Sequence, residues 1–411
     1  MKYLVVLGDG MADYPVPALN GKTPLQVSAK PFMDKLASLG ELGIVKTVPA
    51  GLPPGSDVAN LSVMGYDPHL YYTGRSPLEA ASMGIELSPT DVAFRCNLVT
   101  LSETPSYREK IMIDYSSDEI TTAESEVLMR DIAKALNSEQ FSFYPGISYR
   151  HLMVWHNGPM KCQLTPPHDI SDHPVTDHLP KGDGAAQLLS LMEESIQILK
   201  NHPINEARIQ KGLRPATSIW LWGQGKKPSI KSFYEKYHLK GSVISAVDLA
   251  KGLGVCAGLK VINVPGATGN VHTNFRGKAE AALNAFKEGQ DFVYLHFEAP
   301  DEAGHRGEVE NKIISIEKID SEVLGFLLQE MPKVTKDFKI MLLPDHPTPL
   351  TLKTHVSDPI PFVIYRYYPG EKVGTLRSFD EETARQTNIY IENGHTLMDH
   401  FLEKNDSTSR I

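Results

Sequence analysis

Aspartate and histidine side chains recur near the ends of predicted strands, and these residue types can hold a divalent metal ion. Asp301 and His305 are four residues apart, which places both on one side of a helical turn. The set offers only oxygen and nitrogen ligands, which suits Mn, Mg or Zn, and six ligands suit a pair of ions better than one. The six candidates are Asp9, Asp301, His305, Asp345, His346 and His355.

A serine at the predicted start of a helix could supply a nucleophile. Ser56 begins the predicted helix 56–64, after a loop rich in proline and glycine. Free backbone N–H groups and the positive end of the helix dipole lie beside such a serine. Coordination by a neighbouring metal ion could activate Ser56. The oxygens of a transferring phosphoryl group could then bridge the ions and reach the helix N-terminus.

Each of these residues also has an ordinary structural interpretation. Asp9 could cap the helix that follows it, and Ser56 could serve only as an N-cap. Asp301 and His305 could form a surface pair. The placement of several such residues at one edge of one sheet favours the metal site, because independent structural roles rarely coincide there.

Alternating strands and helices are expected to position these residues. Apolar runs predict strands at residues 3–7, 217–222, 242–246, 259–264, 291–297 and 339–343. Helical patterns cover residues 31–39, 56–64, 229–237, 278–286 and 312–330. This alternation predicts an α/β fold with a mostly parallel sheet and helices on both faces. In such sheets functional residues gather at the carboxyl ends of the strands.

The middle of the chain has a less regular pattern. Strands are predicted at residues 92–98 and 151–155, and helices near 124–136 and 185–200. We predict a smaller α+β domain at residues 91–214, inserted into a discontinuous core domain of residues 1–90 and 215–411.

Composition excludes several classes of protein. Lys and Arg number 41 against 50 Asp and Glu, a net charge of −9, so nucleic acid is not an expected partner. Three scattered cysteines argue against a disulfide framework and a cysteine zinc site. The start of the sequence lacks the features of a signal peptide, and no apolar run approaches about 18 residues. We expect a cytoplasmic enzyme without a membrane partner.

Several stretches of sequence carry a family resemblance. They are residues 8–13 (GDGMAD), 55–68 (GSDVANLSVMGYDP), 298–305 (EAPDEAGH), 344–346 (PDH) and 355–361 (HVSDPIP). In this order, and spread over most of the chain, they resemble the alkaline phosphatase superfamily. Within it they are most similar to the archaeal-type branch of the cofactor-independent phosphoglycerate mutases.

The resemblance implies an alkaline phosphatase-like core that binds two divalent ions, Mn first among them, and does not need 2,3-bisphosphoglycerate. It implies that Ser56 becomes a phosphoserine during turnover and that Lys251 contacts phosphate. One ion would be held by Asp9, Ser56, Asp345 and His346, and the other by Asp301, His305 and His355.

The sequence departs from the bacterial mutases in two places. Asp57 and Asn60 replace a Glu and a His of their nucleophile loop, and residues 220–225 (WLWGQG) replace their arginine-rich substrate segment. Candidate substrate contacts must therefore come from the inserted domain, where an Arg fork suits a carboxylate or phosphate. They are Arg95, Arg150, His151, His168 and Asp169. His151, or His168 with Asp169, could serve as general acid and base, although surface pairing explains any one of these residues equally well.

The leading hypothesis is a mutase that interconverts 3-phosphoglycerate and 2-phosphoglycerate through phosphorylated Ser56. The inserted domain would hold the glycerate and exclude water. Close relatives of this branch have been proposed as homoserine kinases, so a phosphotransferase from ATP to homoserine is one alternative. A metal-dependent phosphatase or sulfatase is another. A catalytically silent binding protein is a third, although it predicts a missing ligand and all seven family positions are filled.

Overall fold

The computed structural model describes residues 1–371 and 376–403. In chain order the strands are β1 (Lys2–Gly8), β2 (Glu41–Val45), β3 (Val92–Leu101), β4 (Met112–Asp114), β5 (Phe141–Ile147), β6 (Arg150–Trp155), β7 (Cys162–Gln163), β8 (Lys181–Gly182), β9 (Ser218–Gly225), β10 (Gly241–Ile244), β11 (Lys260–Val261), β12 (Phe292–Phe297), β13 (Phe338–Leu343), β14 (Ile360–Arg366) and β15 (Tyr390–Ile391).

The α-helices are α1 (Pro24–Val27), α2 (Pro31–Leu39), α3 (Ser56–Val63), α4 (Pro68–Tyr71), α5 (Ser76–Ser82), α6 (Thr122–Leu136), α7 (Ala185–Leu199), α8 (Pro203–Gln210), α9 (Phe233–Tyr237), α10 (Asp248–Cys256), α11 (Phe275–Lys287), α12 (Ala299–Arg306), α13 (Val309–Lys318), α14 (Gly325–Val334), α15 (Glu381–Arg385) and α16 (Leu397–Leu402). A π-helical turn, Ile319–Leu324, joins α13 to α14. In the part of the chain that the structure describes, no helix has the length and apolar character needed to cross a membrane.

The chain divides into two compact units. Unit one comprises Met1–Tyr72 and the described residues from Ser229 onward, and unit two comprises Thr73–Pro228. The bounds predicted for the inserted domain, residues 91 and 214, lie inside unit two.

Unit one is built on a mostly parallel sheet with the strand order β11-β10-β12-β1-β13-β14-β2-β15. β1 is parallel to both of its neighbours, β12 and β13, whereas β14 is antiparallel to both β13 and β2. All of β1 after Lys2 is buried. Because successive side chains point to opposite faces, such a strand must be covered on both sides. The predicted α/β class with a mostly parallel sheet is confirmed.

One face of the sheet of unit one packs on a continuous apolar core. Leu4 and Val6 of β1 contribute to it, together with buried side chains of α2, α11 and α14. Asp9 directly follows β1 and therefore lies at the carboxyl end of this strand.

Unit two contains a sheet with the order β4-β3-β6-β5, and β9 pairs with β3. The assignment of residues 217–222 to the parallel sheet was wrong, because β9 runs antiparallel to β3 in unit two. An apolar run of this length fits a buried strand in either sheet, so its pattern could not distinguish them.

Candidate active site

Three adjacent strands bring the predicted metal ligands of unit one to one edge of the sheet. β1 lies between β12 and β13, and all three are parallel, so their carboxyl ends lie side by side. Asp9 directly follows β1, and Asp345 is in the loop after β13. Asp301 lies in the first turn of α12, which follows β12.

Asp9, Asp345 and His346 form a fully buried group whose ligand atoms lie within 4.8 Å of one another. His346 Nε2 is 3.5 Å from Asp9 Oδ1 and 3.4 Å from Asp345 Oδ2. The backbone N–H of Gly10 donates to Asp345 Oδ1 at 3.1 Å. Among the described residues, Asp9 Oδ1 has no hydrogen-bond partner. A buried carboxylate oxygen without a partner is costly, and a cation at this place would satisfy it.

Asp301 lies beside two histidines whose rings are oriented by backbone carbonyls. Nδ1 of His305 is 3.0 Å from the carbonyl oxygen of Lys353. Nδ1 of His355 is likewise 3.0 Å from that of Pro54. A carbonyl oxygen only accepts, so each Nδ1 carries the hydrogen and each neutral ring offers a lone pair at Nε2. The two Nε2 atoms are 2.8 Å apart, and each is 3.3 Å from an oxygen of Asp301.

This arrangement calls for a positive charge among the three side chains. Two Nε2 lone pairs cannot face each other at 2.8 Å unless a proton or a cation lies between them. The hydrogen bond to Asp301 raises the pKa of His305 to about 9. Burial alone would raise the pKa of Asp301, but its hydrogen bonds with His305 and His355 hold that pKa well below its usual range. The donor set therefore fits a divalent ion, which can replace the proton.

The other half of the centre carries excess negative charge. Burial raises the pKa of Asp9 well above its usual range, and the charges of Asp345, Glu298 and Asp301 raise it further. Divalent cations are often the largest local charges in such sites and reverse this effect. The residues present therefore fit cations here as well.

Ser56 lies at the same edge of the sheet, at the start of α3. The N-cap of α3 is Gly55, and Ser56 is the first residue of the helix. Its Oγ is 3.0 Å from Nε2 of His346, so its hydroxyl faces the metal-ligand cluster instead of capping the helix. The side-chain amide of Asn60 donates to the Ser56 carbonyl oxygen at 2.8 Å. The structure thus brings all seven predicted ligand residues of unit one together, while their binding of metal stays a prediction.

Lys251, the predicted phosphate contact, is a partly exposed residue of α10. This helix packs against α3, which begins with Ser56. The charge of Lys251 is one of the effects that lower the pKa of Lys278, although burial is the larger cause. Its contact with phosphate stays a prediction.

Two of the candidate substrate residues of unit two meet at an aromatic ring. The guanidinium of Arg95 lies 4.2 Å from the ring centre of Trp222, and its Nε is 3.2 Å from Glu79 Oε2. The ring of His168 approaches the same Trp222 ring at 5.3 Å. Asp169 Oδ1 is 3.5 Å from His168 Nε2, and both side chains are about half exposed. Stacking and burial hold Arg95 in place while it keeps its charge.

The other two candidates in unit two differ in exposure. Arg150 is exposed, with its guanidinium 5.6 Å from the ring centre of Tyr149. His151 is buried, and its Nδ1 accepts the backbone N–H of Gly146 at 2.9 Å. Burial lowers the pKa of His151 to about 3. A histidine in this state is a poor proton shuttle near neutral pH.

The sequence did not predict several residues that contact the carboxylate oxygens of the candidate metal ligands. His296 of β12 lies 3.0 Å from Asp9 Oδ2, and Thr348 donates to Asp301 Oδ1 at 2.5 Å. Asn60, noted only as a departure from the bacterial loop, donates to Asp345 Oδ2 at 2.9 Å. A histidine within an otherwise apolar and aromatic buried strand was the available signal for His296.

Comparison with known proteins places the chain in a family. A family model described as 2,3-bisphosphoglycerate-independent phosphoglycerate mutase matches residues 37–205. A probable enzyme of that name from Geobacter sulfurreducens is 53% identical over 404 residues, which is 98% of this chain and 100% of the relative. The enzyme of that name from Methanothrix thermoacetophila is 50% identical over 97% of this chain and 98% of its own length. The chain belongs to this mutase family.

Solved structures agree with membership of the mutase family. The cofactor-independent phosphoglycerate mutase from Thermoplasma acidophilum has a TM-score of 0.63 at 26% identity, covering 98% of this chain and 99% of that one. A Pyrococcus horikoshii protein has a TM-score of 0.80 at 29% identity, covering 100% and 99%. The family predicted from the five sequence stretches is confirmed.

Proposed function

We propose that the protein interconverts 3-phosphoglycerate and 2-phosphoglycerate, a step of glycolysis and gluconeogenesis, without 2,3-bisphosphoglycerate. Relatives that carry the name of this mutase align over nearly the whole chain. Within the structure, the observation that carries the proposal is the Ser56 hydroxyl, 3.0 Å from His346 Nε2 at the edge of a carboxylate and histidine cluster. We propose the cytoplasm as its compartment.

We assign the cluster to two divalent ions, with Mn as the first choice and Mg or Zn as alternatives. One set of ligands would be Asp9, Ser56, Asp345 and His346, and the other Asp301, His305 and His355. Bound cations would favour the ionised form of the Ser56 hydroxyl and offset charge on the phosphoryl oxygens.

Ser56 would act as the phosphoryl acceptor. Its Oγ forms a bond to phosphorus as the bond from phosphorus to the substrate oxygen breaks, which gives phosphoserine and glycerate. The serine proton ends on the released glycerate oxygen. The other glycerate hydroxyl then attacks the phosphoserine and returns the proton to Ser56. The first N–H groups of α3 lie beside Ser56 and favour the phosphoryl charge, and we propose that Lys251 contacts the same group.

Residues of unit two would bind the rest of the substrate. Arg95 and Arg150 are the proposed contacts for the carboxylate, because a guanidinium can donate two parallel hydrogen bonds to it. His168, beside Asp169, is a better candidate than the buried His151 for moving protons between the two hydroxyls. Burial lowers the pKa of His168, which favours the neutral ring that can accept a proton.

A coupled assay with enolase tests the proposal. The full chain, loaded with Mn²⁺, should convert 3-phosphoglycerate into product that enolase consumes. Ser56→Ala should abolish turnover and leave the metal content largely intact. Ser62→Ala is the matched control in the same helix, since the Ser62 hydroxyl is buried without a hydrogen-bond partner among the described residues. Turnover retained by Ser56→Ala excludes the phosphoserine route.

Two further measurements separate the alternatives. ATP-dependent formation of phosphohomoserine would indicate the kinase, which the names of the relatives do not favour. Rapid release of inorganic phosphate from 3-phosphoglycerate would indicate a phosphatase. No turnover of 3-phosphoglycerate in the presence of Mn²⁺ refutes the mutase.

A further inference from the structure

Strand β12 directs two polar side chains toward the metal-ligand cluster. Val293, Leu295 and Phe297 belong to the apolar core on one face of the sheet. The side chains between them, Tyr294 and His296, therefore point to the opposite face. Both are buried, and each takes part in a chain of hydrogen bonds that ends on a different candidate ligand carboxylate.

The first chain of hydrogen bonds runs from Ser245 through His296 to Asp9. Ser245 Oγ accepts the backbone N–H of Val247 at 3.0 Å and lies 3.2 Å from His296 Nδ1. His296 Nε2 is 3.0 Å from Asp9 Oδ2. With a cation bound, the Asp9 carboxylate is ionised and only accepts, so Nε2 must carry the hydrogen of the neutral ring. Nδ1 then accepts the Ser245 hydroxyl hydrogen, and the tautomer is fixed.

The second chain of hydrogen bonds runs from Tyr294 through Asn60 to Asp345. The Asn60 side-chain nitrogen donates to the Ser56 carbonyl at 2.8 Å and to Asp345 Oδ2 at 2.9 Å. Both partners only accept, which fixes the orientation of the amide. Asn60 Oδ1 is then the acceptor for the Tyr294 hydroxyl at 2.6 Å. Asn60 thereby ties the carboxylate to the residue that carries the proposed nucleophile.

The chain of hydrogen bonds through His296 leaves one oxygen of Asp9 free for a cation. His296 occupies Oδ2 of Asp9, while Oδ1 has no partner among the described residues. We propose that His296 and Tyr294 are positioning residues: they hold the Asp9 and Asp345 carboxylates in the orientation that binds metal, and neither touches the ion. This inference rests on the proposed metal centre and deepens it. Partners of this kind typically change metal affinity by about 10–100-fold.

Metal titration of the full chain tests the His296 assignment. Protein freed of metal by dialysis against a chelator is titrated with MnCl₂, and free Mn²⁺ is followed by electron paramagnetic resonance. His296→Leu should weaken binding about 10–100-fold without changing the number of ions bound. His296→Gln should recover most of the affinity, because its amide nitrogen lies near the place of Nε2 and can donate to Asp9. A role in packing alone predicts no such rescue.

Tyr294→Phe tests the second chain of hydrogen bonds with little change in volume. The loss of one hydrogen bond should weaken Mn²⁺ binding about two- to tenfold. Tyr365→Phe is the matched control: it removes a buried tyrosine hydroxyl that bonds to Glu371 elsewhere in the same sheet, and it should leave Mn²⁺ affinity unchanged. Equal losses in the two variants would mean general loosening and overturn the inference.

The remaining outcomes separate this inference from the proposed function. A wild-type chain that binds no Mn²⁺ refutes the metal centre itself. A wild-type chain that binds two ions, with His296→Leu and Tyr294→Phe unaffected, refutes only the positioning roles. The cluster Asp9, His296 and Glu298 also has the spacing of a ligand set. Loss of one whole equivalent of metal in both His296 variants would make His296 a ligand and overturn the inference.

Discussion

Replacement of Lys312 by Met should strongly destabilise unit one, because it leaves a buried carboxylate without its counter-charge. The side chains of Lys312 and Asp13 are both completely buried, and Nζ is 2.7 Å from Oδ2. Nζ also donates to the carbonyl oxygens of Ala12 and Thr348, at 3.3 and 2.8 Å. The ammonium group therefore joins the loop after β1 to the loop after β13, and both loops carry candidate metal ligands.

The expected magnitude follows from the burial of the pair. Removal of one partner from a buried ion pair costs about 3–5 kcal/mol, since the remaining charge is left uncompensated. Asp13→Asn alone should also destabilise the protein, because it leaves the ammonium with carbonyl acceptors only. The double variant carries neither charge, and its amide oxygen can still accept the Leu350 N–H. Its loss should be smaller than the sum of the single losses by about 2 kcal/mol or more.

Urea unfolding in the presence of chelator measures these free energies without a contribution from bound ions. Peptide-resolved hydrogen exchange is the suitable probe of unit one, since all three tryptophans lie in unit two. Lys333→Met, which breaks an exposed pair with Glu330, is the control and should change stability by less than about 0.5 kcal/mol. Additive single losses, or a Lys312→Met loss no larger than the control's, would refute the reasoning.

Three further predictions concern metal, pH and substrate. Saturation of the chelator-treated protein with Mn²⁺ at 100 times its dissociation constant should raise stability by about 2.7 kcal/mol for each ion bound; an unchanged thermal midpoint contradicts the metal centre. Burial raises the pKa of Asp320 to about 7, so the native state holds a proton that the unfolded chain releases near pH 4. As the pH rises from about 4 to about 7, the wild type should therefore lose stability by about 1.4 kcal/mol per pH unit relative to Asp320→Asn. Parallel pH curves for the two proteins would argue against this prediction. Arg95→Lys should raise KM for 3-phosphoglycerate about tenfold by loss of the two-pronged donor; a KM equal to that of wild type removes Arg95 from the site.

Apolar patterning was sufficient for the three adjacent parallel strands that carry the site and insufficient for the β14, β2 and β15 side of the sheet. β1, β12 and β13 are short apolar runs buried on both faces, which is the pattern that predicts parallel strands. β14 was missed because Pro361 lies within it, and proline within an apolar run argues against a strand. The predicted helix 312–330 is interrupted by the π-helical turn Ile319–Leu324. The sequence did not reveal this turn, because a locally widened turn leaves the apolar period nearly unchanged.

Residue spacing in the sequence predicted the metal-ligand candidates, whereas the residues that contact those candidates became clear only from the packing in the structure. Asp9, Asp301 and Asp345 could be found because each follows a strand, and parallel strands deliver their ends to one edge. The partners of His296 come from distant parts of the chain, and its tautomer depends on a hydroxyl that sequence does not place. His151 was a reasonable candidate for acid and base chemistry because it is a histidine. Only the structure shows that it is buried in β6.

Part of the negative charge of this chain, whose net charge is −9, is concentrated at the metal-ligand cluster. Lys312 is engaged by Asp13, and burial lowers the pKa of Lys278 to about 8 while its ammonium donates to the His296 carbonyl. The buried lysines therefore offset little of the charge of Asp9 and its neighbouring carboxylates. Two divalent ions would bring four positive charges and offset that charge. Affinity for a small phosphorylated anion would then depend on bound metal.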